Sequence, residues 1–238
     1  MHSVKRTLLA AALCVSGAAL ATEADIRQAV RSVAGDVTVR EIKPAPVGGL
    51  FEVVLDGARG PQIVFATPKG EFLFVGDLLD VAKKTNYTED RTEALMRVPF
   101  DSLPLEKAIK IVKGDGGNGT RKLAVFSDPD CPFCRKLEHE IKKIDNLTLY
   151  IFLLPIAHPD AVPKSKAIWC AKDRAKAWND YMFKGELPKG AADCKTPVDA
   201  TMDYGAKLRI SGTPTLIFAD GRRVGGYIPA ARIEELLK

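Results

Sequence analysis

The sequence predicts an α+β protein of two units, a small antiparallel sheet followed by a larger unit in which strands and helices alternate. Three observations carry this reading. Strand-like runs at residues 50–55, 62–66 and 71–75 are separated by glycine or proline turns, the pattern of short hairpins. From residue 122 the order becomes strand, helix, strand, then two strands and a last helix, a βαβ half followed by a ββα half. Cys131-Pro132-Phe133-Cys134 stands at the first strand-to-helix junction of that second unit.

The front of the chain reads as an export signal. Lys5 and Arg6 precede a mostly apolar run over residues 7–20, which ends in Ala19-Leu20-Ala21, the small-residue form of a secretory cleavage site. Cleavage is expected after Ala21. The apolar run is too short to span a membrane, which takes about 20 residues, and the residues before Cys14 do not suit a lipid-modified cysteine. Removal of this segment lowers the formal charge from +5 to +3 and the cysteines from five to four. The basic pairs Lys83-Lys84, Lys142-Lys143 and Arg222-Arg223 are dispersed among acids, which argues against nucleic acid as a partner. With 46% hydrophobic residues the chain has ample material for a packed core.

In the first unit, residues 23–30 form a short helix-like start before a proline and glycine break at 44–49. A unit of this size buries too little surface to be comfortable alone, so association with a second copy is expected. Residues 88–97 have an acidic start and few breakers and read as a connecting helix. The expected boundaries are a signal over 1–21, a small domain over 22–87, a linker helix over 88–106 and the larger domain over 107–238. Gly114-Asp-Gly-Gly-Asn-Gly119 reads as a hairpin-like turn, and it lacks the Lys-Ser/Thr ending of a phosphate loop.

In the second unit residues 122–126 form a buried strand, 127–130 a tight turn, and Pro132 opens a helix. Cys134, Leu137, Ile141 and Ile144 recur at steps of three, four and three, one apolar stripe that ends in Cys134. Pro132 suits the first helical position, where a missing N–H costs nothing, so Cys131 falls at or next to the cap. A helix N-terminus contributes about 0.3–1 kcal/mol toward a thiolate. Arg135 and Lys136 push the same way, and Asp128 and Asp130 oppose them. Two thiols separated by two residues close a disulfide and reopen it by exchange. Cys131, read at the exposed helix end, is assigned attack, and Cys134, on the packed face, resolution.

Four cysteines allow three pairings, of which Cys131 with Cys134 and Cys170 with Cys194 is the favoured one. Residues 165–178, which contain Cys170, read as one helix, and Cys194 lies in a polar loop with Gly185, Pro188 and Gly190. A bridge there closes a loop of about 25 residues, worth about 3–4 kcal/mol in the chain-entropy model. The competing arrangement gathers all four sulfurs around zinc, but structural zinc sites usually offer two close-spaced pairs. No cofactor or metal is expected. His139 lies nearly opposite Cys131 on the helix and reads as a solvated side chain rather than half of a protease dyad, and His158 is unassigned.

Four passages give the chain a family resemblance: Pro44-Ala-Pro-Val-Gly-Gly-Leu50, Phe126-Ser-Asp-Pro-Asp-Cys-Pro-Phe-Cys-Arg-Lys-Leu137, Ala167-Ile-Trp-Cys-Ala-Lys-Asp173 and Ser211-Gly-Thr-Pro-Thr215. In this order they resemble the exported DsbC/DsbG group of thiol-disulfide interchange proteins, along nearly the whole chain after residue 21. The resemblance implies an N-terminal dimerisation domain, a helical linker and a C-terminal thioredoxin-like α/β domain. It further implies a periplasmic homodimer whose apolar cleft receives misfolded disulfide-containing proteins, and a DsbD-like membrane thiol reductant that restores the dithiol. It also pairs Cys170 with Cys194.

By the same likeness Thr213 and Pro214 match the residue and cis-proline that face the redox pair and hold an extended client strand. Taken alone, Pro214 reads as the opening of the strand at 215–219 rather than as part of the site. Cytosolic thioredoxins carry a buried Asp on the strand before the cysteines. Val125 stands there in this chain, so proton transfer from Cys134 needs another group or water. Pro132-Phe133 approaches the Pro-Tyr of the DsbG branch, and two intervening residues leave the redox poise unspecified, since about 30 mV is a tenfold change in the exchange equilibrium. A net thiol oxidase is the nearest alternative activity, and a redox-silent holdase chaperone the alternative from another class.

Overall fold

The structure, a computed structural model, describes residues 14–57, 60–190 and 193–238. Residues 1–13 of the expected export signal lie outside the described residues, and the expected cleavage point after Ala21 falls within the first helix. The chain divides into two compact units, one ending at Leu95 and one running from Met96 to Lys238.

Glycine and proline cut the first unit into short pieces. It contains α1 (Cys14–Ala34), β1 (Thr38–Pro44), β2 (Phe51–Gly57), β3 (Gly60–Ala66) and β4 (Leu73–Val75), with the four strands in the antiparallel order β1-β2-β3-β4. A two-residue ladder of β5 (Leu79–Asp80) and β6 (Thr85–Asn86) leads into α2 (Tyr87–Leu95). Alternation along the strands sorts the side chains: Val53, Leu55, Val64 and Ala66 pack with Ile26 and Val30, one turn apart on α1. Glu52, one residue out of phase, is fully buried as well. It accepts hydrogen bonds from the Tyr87 hydroxyl and from Arg91 Nε at 2.9 Å, and Lys43 Nζ lies 3.3 Å away. Burial alone would raise the Glu52 carboxyl, but these three donors hold it below the usual range, so an ionised carboxylate ties α2 to β1 and β2.

The second unit is built on the sheet order β11-β10-β8-β9-β7, from β7 (Ile109–Lys113), β8 (Lys122–Ser127), β9 (Leu147–Leu153), β10 (Thr215–Phe218) and β11 (Arg223–Gly225). Only β8 and β9 are parallel, and α3 (Pro132–Ile141) is their crossover. Nearly every residue of β8 and all of β9 are buried, because both faces of the sheet are covered. One face packs Leu123, Val125, Leu149 and Ile151 with Cys134, Leu137 and Ile141 of α3 and with Trp178 and Ile233. The other packs Ala124, Phe126, Tyr150 and Phe152 with Val98, Phe100 and Ile217, and Phe126 stacks on Phe152 at 4.6 Å. The remaining helices are α4 (Ala161–Cys170), α5 (Arg174–Lys184), α6 (Val198–Lys207) and α7 (Ala230–Leu236).

Several expectations are corrected. The helix expected over 88–106 covers only Tyr87–Leu95; Pro99 and Pro104 then head short 3-10 turns, since proline starts a helical turn but cannot continue one. The helix read over 165–178 is two helices, because Ala171 is extended and Asp173 caps a new start by accepting the Lys176 N–H at 2.9 Å. Residues 114–119 do not make a hairpin: β7 and β8 lie on opposite sides of β9. Gly117 and Asn118 take left-handed conformations there, and a Cβ on Gly117 would meet the Asn146 carbonyl at 2.7 Å. The sequence pattern predicts no element at β1, β7 or α6.

Candidate active site

The site grows out of the end of β8. Ser127 is its last residue, and the turn that follows is held by Asp128, whose carboxylate accepts the Asp130 N–H at 2.8 Å and the Ala157 N–H at 2.7 Å. This fixes the chain direction into α3. Cys131 is the N-cap, with Pro132 at the first helical position, as the sequence predicts.

Cys131 and Cys134 are free thiols. Cys131 does not lie at the exposed helix end that the sequence predicts: it is 6% exposed and its thiol donates to the Thr213 carbonyl at 3.2 Å. The loop carrying Thr213 and Pro214 covers it, and the exposed residues of the motif are Pro132 and Phe133. The Thr213–Pro214 bond is cis. Cys134 is fully buried and its sulfur accepts the Asp128 N–H at 3.4 Å. Burial pushes the Cys134 thiol up to about 12, against the pull of the neighbouring polar groups of Ser127, Asp128 and Thr213. The pair is therefore asymmetric. Cys131 sits at the helix terminus under a loop, whereas Cys134 is sealed inside the fold.

The acids around Cys131 are internally compensated, which the sequence left open. Both Asp130 oxygens accept from Lys164 Nζ, at 2.7 and 2.8 Å, and one also accepts the Tyr181 hydroxyl at 2.7 Å. Burial would raise the Asp130 carboxyl, but Lys164 and Tyr181 hold it below the usual carboxylate range. Arg135 lies over the Tyr181 ring and Lys136 over the Phe133 ring, so both cations of the first turn stay close to the site. Lys164 and Tyr181 are 34 and 51 residues from Asp130, and no local pattern links them.

One turn beyond Cys134 the apolar stripe of α3 includes Glu138, a charged residue that the sequence reading passed over. It is 3% exposed, accepts the Trp178 indole N–H at 3.0 Å, and is pushed by burial up to about 7. Lys113 faces it electrostatically, but its amine donates to the carbonyls of Ile141, Lys142 and Ile144 at the end of α3. His139 is exposed and meets Phe183 edge-on. Elsewhere, Cys170 at the end of α4 is joined to Cys194 by a disulfide with a Cα separation of 5.7 Å. Among the described residues no group of three or more His, Cys, Asp and Glu side chains is placed to hold a metal ion.

A βαβ–ββα sheet with a Cys-x-x-Cys at the first strand-to-helix junction, set against a cis-proline loop, defines the thioredoxin-like class of proteins. Comparison with known proteins agrees and narrows it. Residues 105–238 match the thioredoxin-like domain family, and residues 17–89 match the disulfide bond isomerase protein N-terminal domain. The chain is 30% identical over 237 residues to the thiol:disulfide interchange protein DsbC of Escherichia coli, covering 97% of this chain and 92% of that protein. It is 41% identical over 189 residues to a probable DsbC of Bordetella pertussis, covering 79% of this chain but only 65% of the relative. A crystal structure of a disulfide interchange protein from Neisseria gonorrhoeae is similar at 50% identity and a TM-score of 0.54, covering 57% of this chain and 96% of that one. The chain belongs to the DsbC family of thiol:disulfide interchange proteins.

Proposed function

We propose that this protein is a periplasmic protein disulfide isomerase and reductase that rearranges non-native disulfides through Cys131 and Cys134. The observation that carries the reading is the asymmetric thiol pair: Cys131 at the N-cap of α3 against the Thr213 carbonyl, and Cys134 buried behind it. Cys131 attacks a client disulfide and forms a mixed disulfide, with the client strand held beside Thr213 and Pro214. The freed client thiol then attacks elsewhere in the client and releases a rearranged product. When that stalls, Cys134 attacks Cys131, and the client leaves reduced while the protein becomes oxidised. A DsbD-like membrane thiol reductant returns the dithiol. The Cys170–Cys194 bridge has a structural role.

The unit ending at Leu95 serves dimerisation in this reading. In support, β4 is an outer strand of its sheet, and Phe72, Phe74, Val75, Leu79 and Val81 in it and close to either end are exposed, an apolar edge that a second copy would cover. Exposed Phe133 suits contact with unfolded clients, giving the protein a chaperone-like component. Export with cleavage after Ala21 agrees with the leader-like residues 1–21, and no described helix is long and apolar enough to cross a membrane.

The test adds catalytic amounts of the reduced protein to a scrambled multi-disulfide substrate and follows recovery of native activity beside a Cys131→Ser control. Recovery that depends on Cys131 supports isomerase chemistry. No recovery, with efficient oxidation of substrate thiols by the oxidised form, sinks it in favour of a net thiol oxidase. Client binding unchanged by Cys131→Ser, with no exchange at all, points to a redox-silent holdase.

A further inference from the structure

Cys134 has to lose a proton before it can act, and its surroundings make that costly. It is fully buried, at the head of the apolar face of α3, beside Val125 and Leu137. The groups acting on its sulfur are the Ser127 hydroxyl, the Asp128 N–H, the Thr213 side chain and the Cys131 sulfur. None of these is a carboxylate or a full positive charge. What remains is hydrogen bonding.

Ser127 is the unusual member of that group. It is the last residue of β8, pairs with Leu153 of β9, and is 1% exposed. Its backbone carbonyl accepts the Leu154 N–H at 2.9 Å, yet its hydroxyl makes no well-formed hydrogen bond to any atom in the dithiol form. Buried hydroxyls nearly always have a partner, and an orphan next to a reacting atom calls for an explanation. Here the explanation is a donor held for a charge that is absent in the resting state. A neutral thiol is a poor acceptor, whereas a thiolate is a strong one, and a donor already in place needs no reorganisation when the charge forms.

We propose that Ser127 is a catalytic residue of the resolving step, its hydroxyl and the Asp128 N–H forming the hydrogen-bonding pocket that stabilises the Cys134 thiolate as it appears. This rests on the exchange reading of the site given above. In the step concerned, Cys134 gives its proton to water and its sulfur bonds to the Cys131 sulfur. The bond between Cys131 and the client sulfur breaks, and the client leaves as a thiolate that water reprotonates. The protein dithiol loses two electrons, and the client disulfide gains them. Because Cys131 reaches toward Thr213 and not toward Ser127, the hydroxyl bears on release far more than on the first attack.

The experiment mixes the reduced full-length protein with oxidised glutathione, quenches with acid, and separates the dithiol, glutathionylated and disulfide forms by mass, for the parent and for Ser127→Ala. Decay of the glutathionylated form is expected to slow about tenfold in the variant, the scale of one hydrogen bond to a charged group, and to regain the parent rate about one pH unit higher. Formation of that adduct should slow at least five-fold less than its decay. The thermal midpoint of the reduced form should hold or rise, because the deleted hydroxyl has no well-formed partner there. Unchanged decay, equal slowing of both steps, or a lowered midpoint would overturn the proposal. A Cys134→Ser protein that forms no Cys131 adduct would instead overturn the exchange reading beneath it.

Discussion

Cys131–Cys134 and Cys170–Cys194 are both pairs of cysteines in one unit, yet the fold treats them in opposite ways. The first pair is three positions apart, reduced, and placed where a helix begins, with a thiol hydrogen bond to Thr213 and a buried serine waiting beside the second sulfur. The second is separated by 24 positions and closed, joining the end of α4 to a loop. Short spacing at a helix terminus makes a pair that can react; long spacing makes a tether. The two buried glutamates repeat the contrast. Glu52 has three donors and stays ionised, whereas Glu138 has one indole N–H and is pushed up to about 7. In each case the number and kind of neighbours decides the chemistry, not the residue type.

The comparison breaks most completely at the reactive pair. Cys131→Ser should abolish adduct formation with a disulfide substrate while leaving the unfolding midpoint of the reduced protein close to the parent's, which quenched mass spectrometry and a thermal melt read together. Replacing Cys170 and Cys194 with serine should do the reverse. The thermal melt should lose about 3–4 kcal/mol of stability, the entropy of a loop of about 25 residues, while Cys131 still forms its adduct. Loss of adduct in the second variant while it remains folded would mean that the tether also shapes the reactive site.

The glutamates offer a pH version of the same test. Glu138 has a folded-state value raised above its ordinary one, so the stability linked to its protonated form is complete below about pH 4.5 and is lost as pH rises toward about 7. The loss amounts to about 3 kcal/mol. Glu138→Gln keeps an acceptor for Trp178 and should flatten this slope in urea melts taken between pH 5 and 8. A slope equal to the parent's would place the linkage on another group.

The smallest expected effect is at Lys164. Lys164→Met leaves the Asp130 carboxylate with Tyr181 alone, one residue from Cys131, and should slow the first exchange step about two- to five-fold, less in high salt. An unchanged rate at low ionic strength would show that Asp130 and Lys164 only hold the turn.

Much of this was legible because its signals are local. The stripe from Cys134 to Ile141, the proline after Cys131 and the alternation of strands all depend on near neighbours in the chain. The misreadings have equally definite causes. Two prolines stopped a helix that composition alone would continue, and an Asp173 cap divided another. Glu138 sat on an apolar stripe as an apparent exception, and only Trp178, forty residues on, accounts for it.

By itself the sequence determined the two-unit α+β plan, the helix that begins at Pro132, and the presence of a two-residue cysteine motif at its start, since each follows from periodicity, proline geometry and spacing within a few residues. Tertiary structure alone decided that the Thr213 carbonyl covers Cys131, that Lys164 and Tyr181 compensate Asp130, and that Ser127 ends its strand buried against Cys134 without a well-formed partner. Those contacts join residues far apart in the chain. Burial, which sets the strength of every charge and hydrogen bond among them, exists only once the sheet and helices have packed.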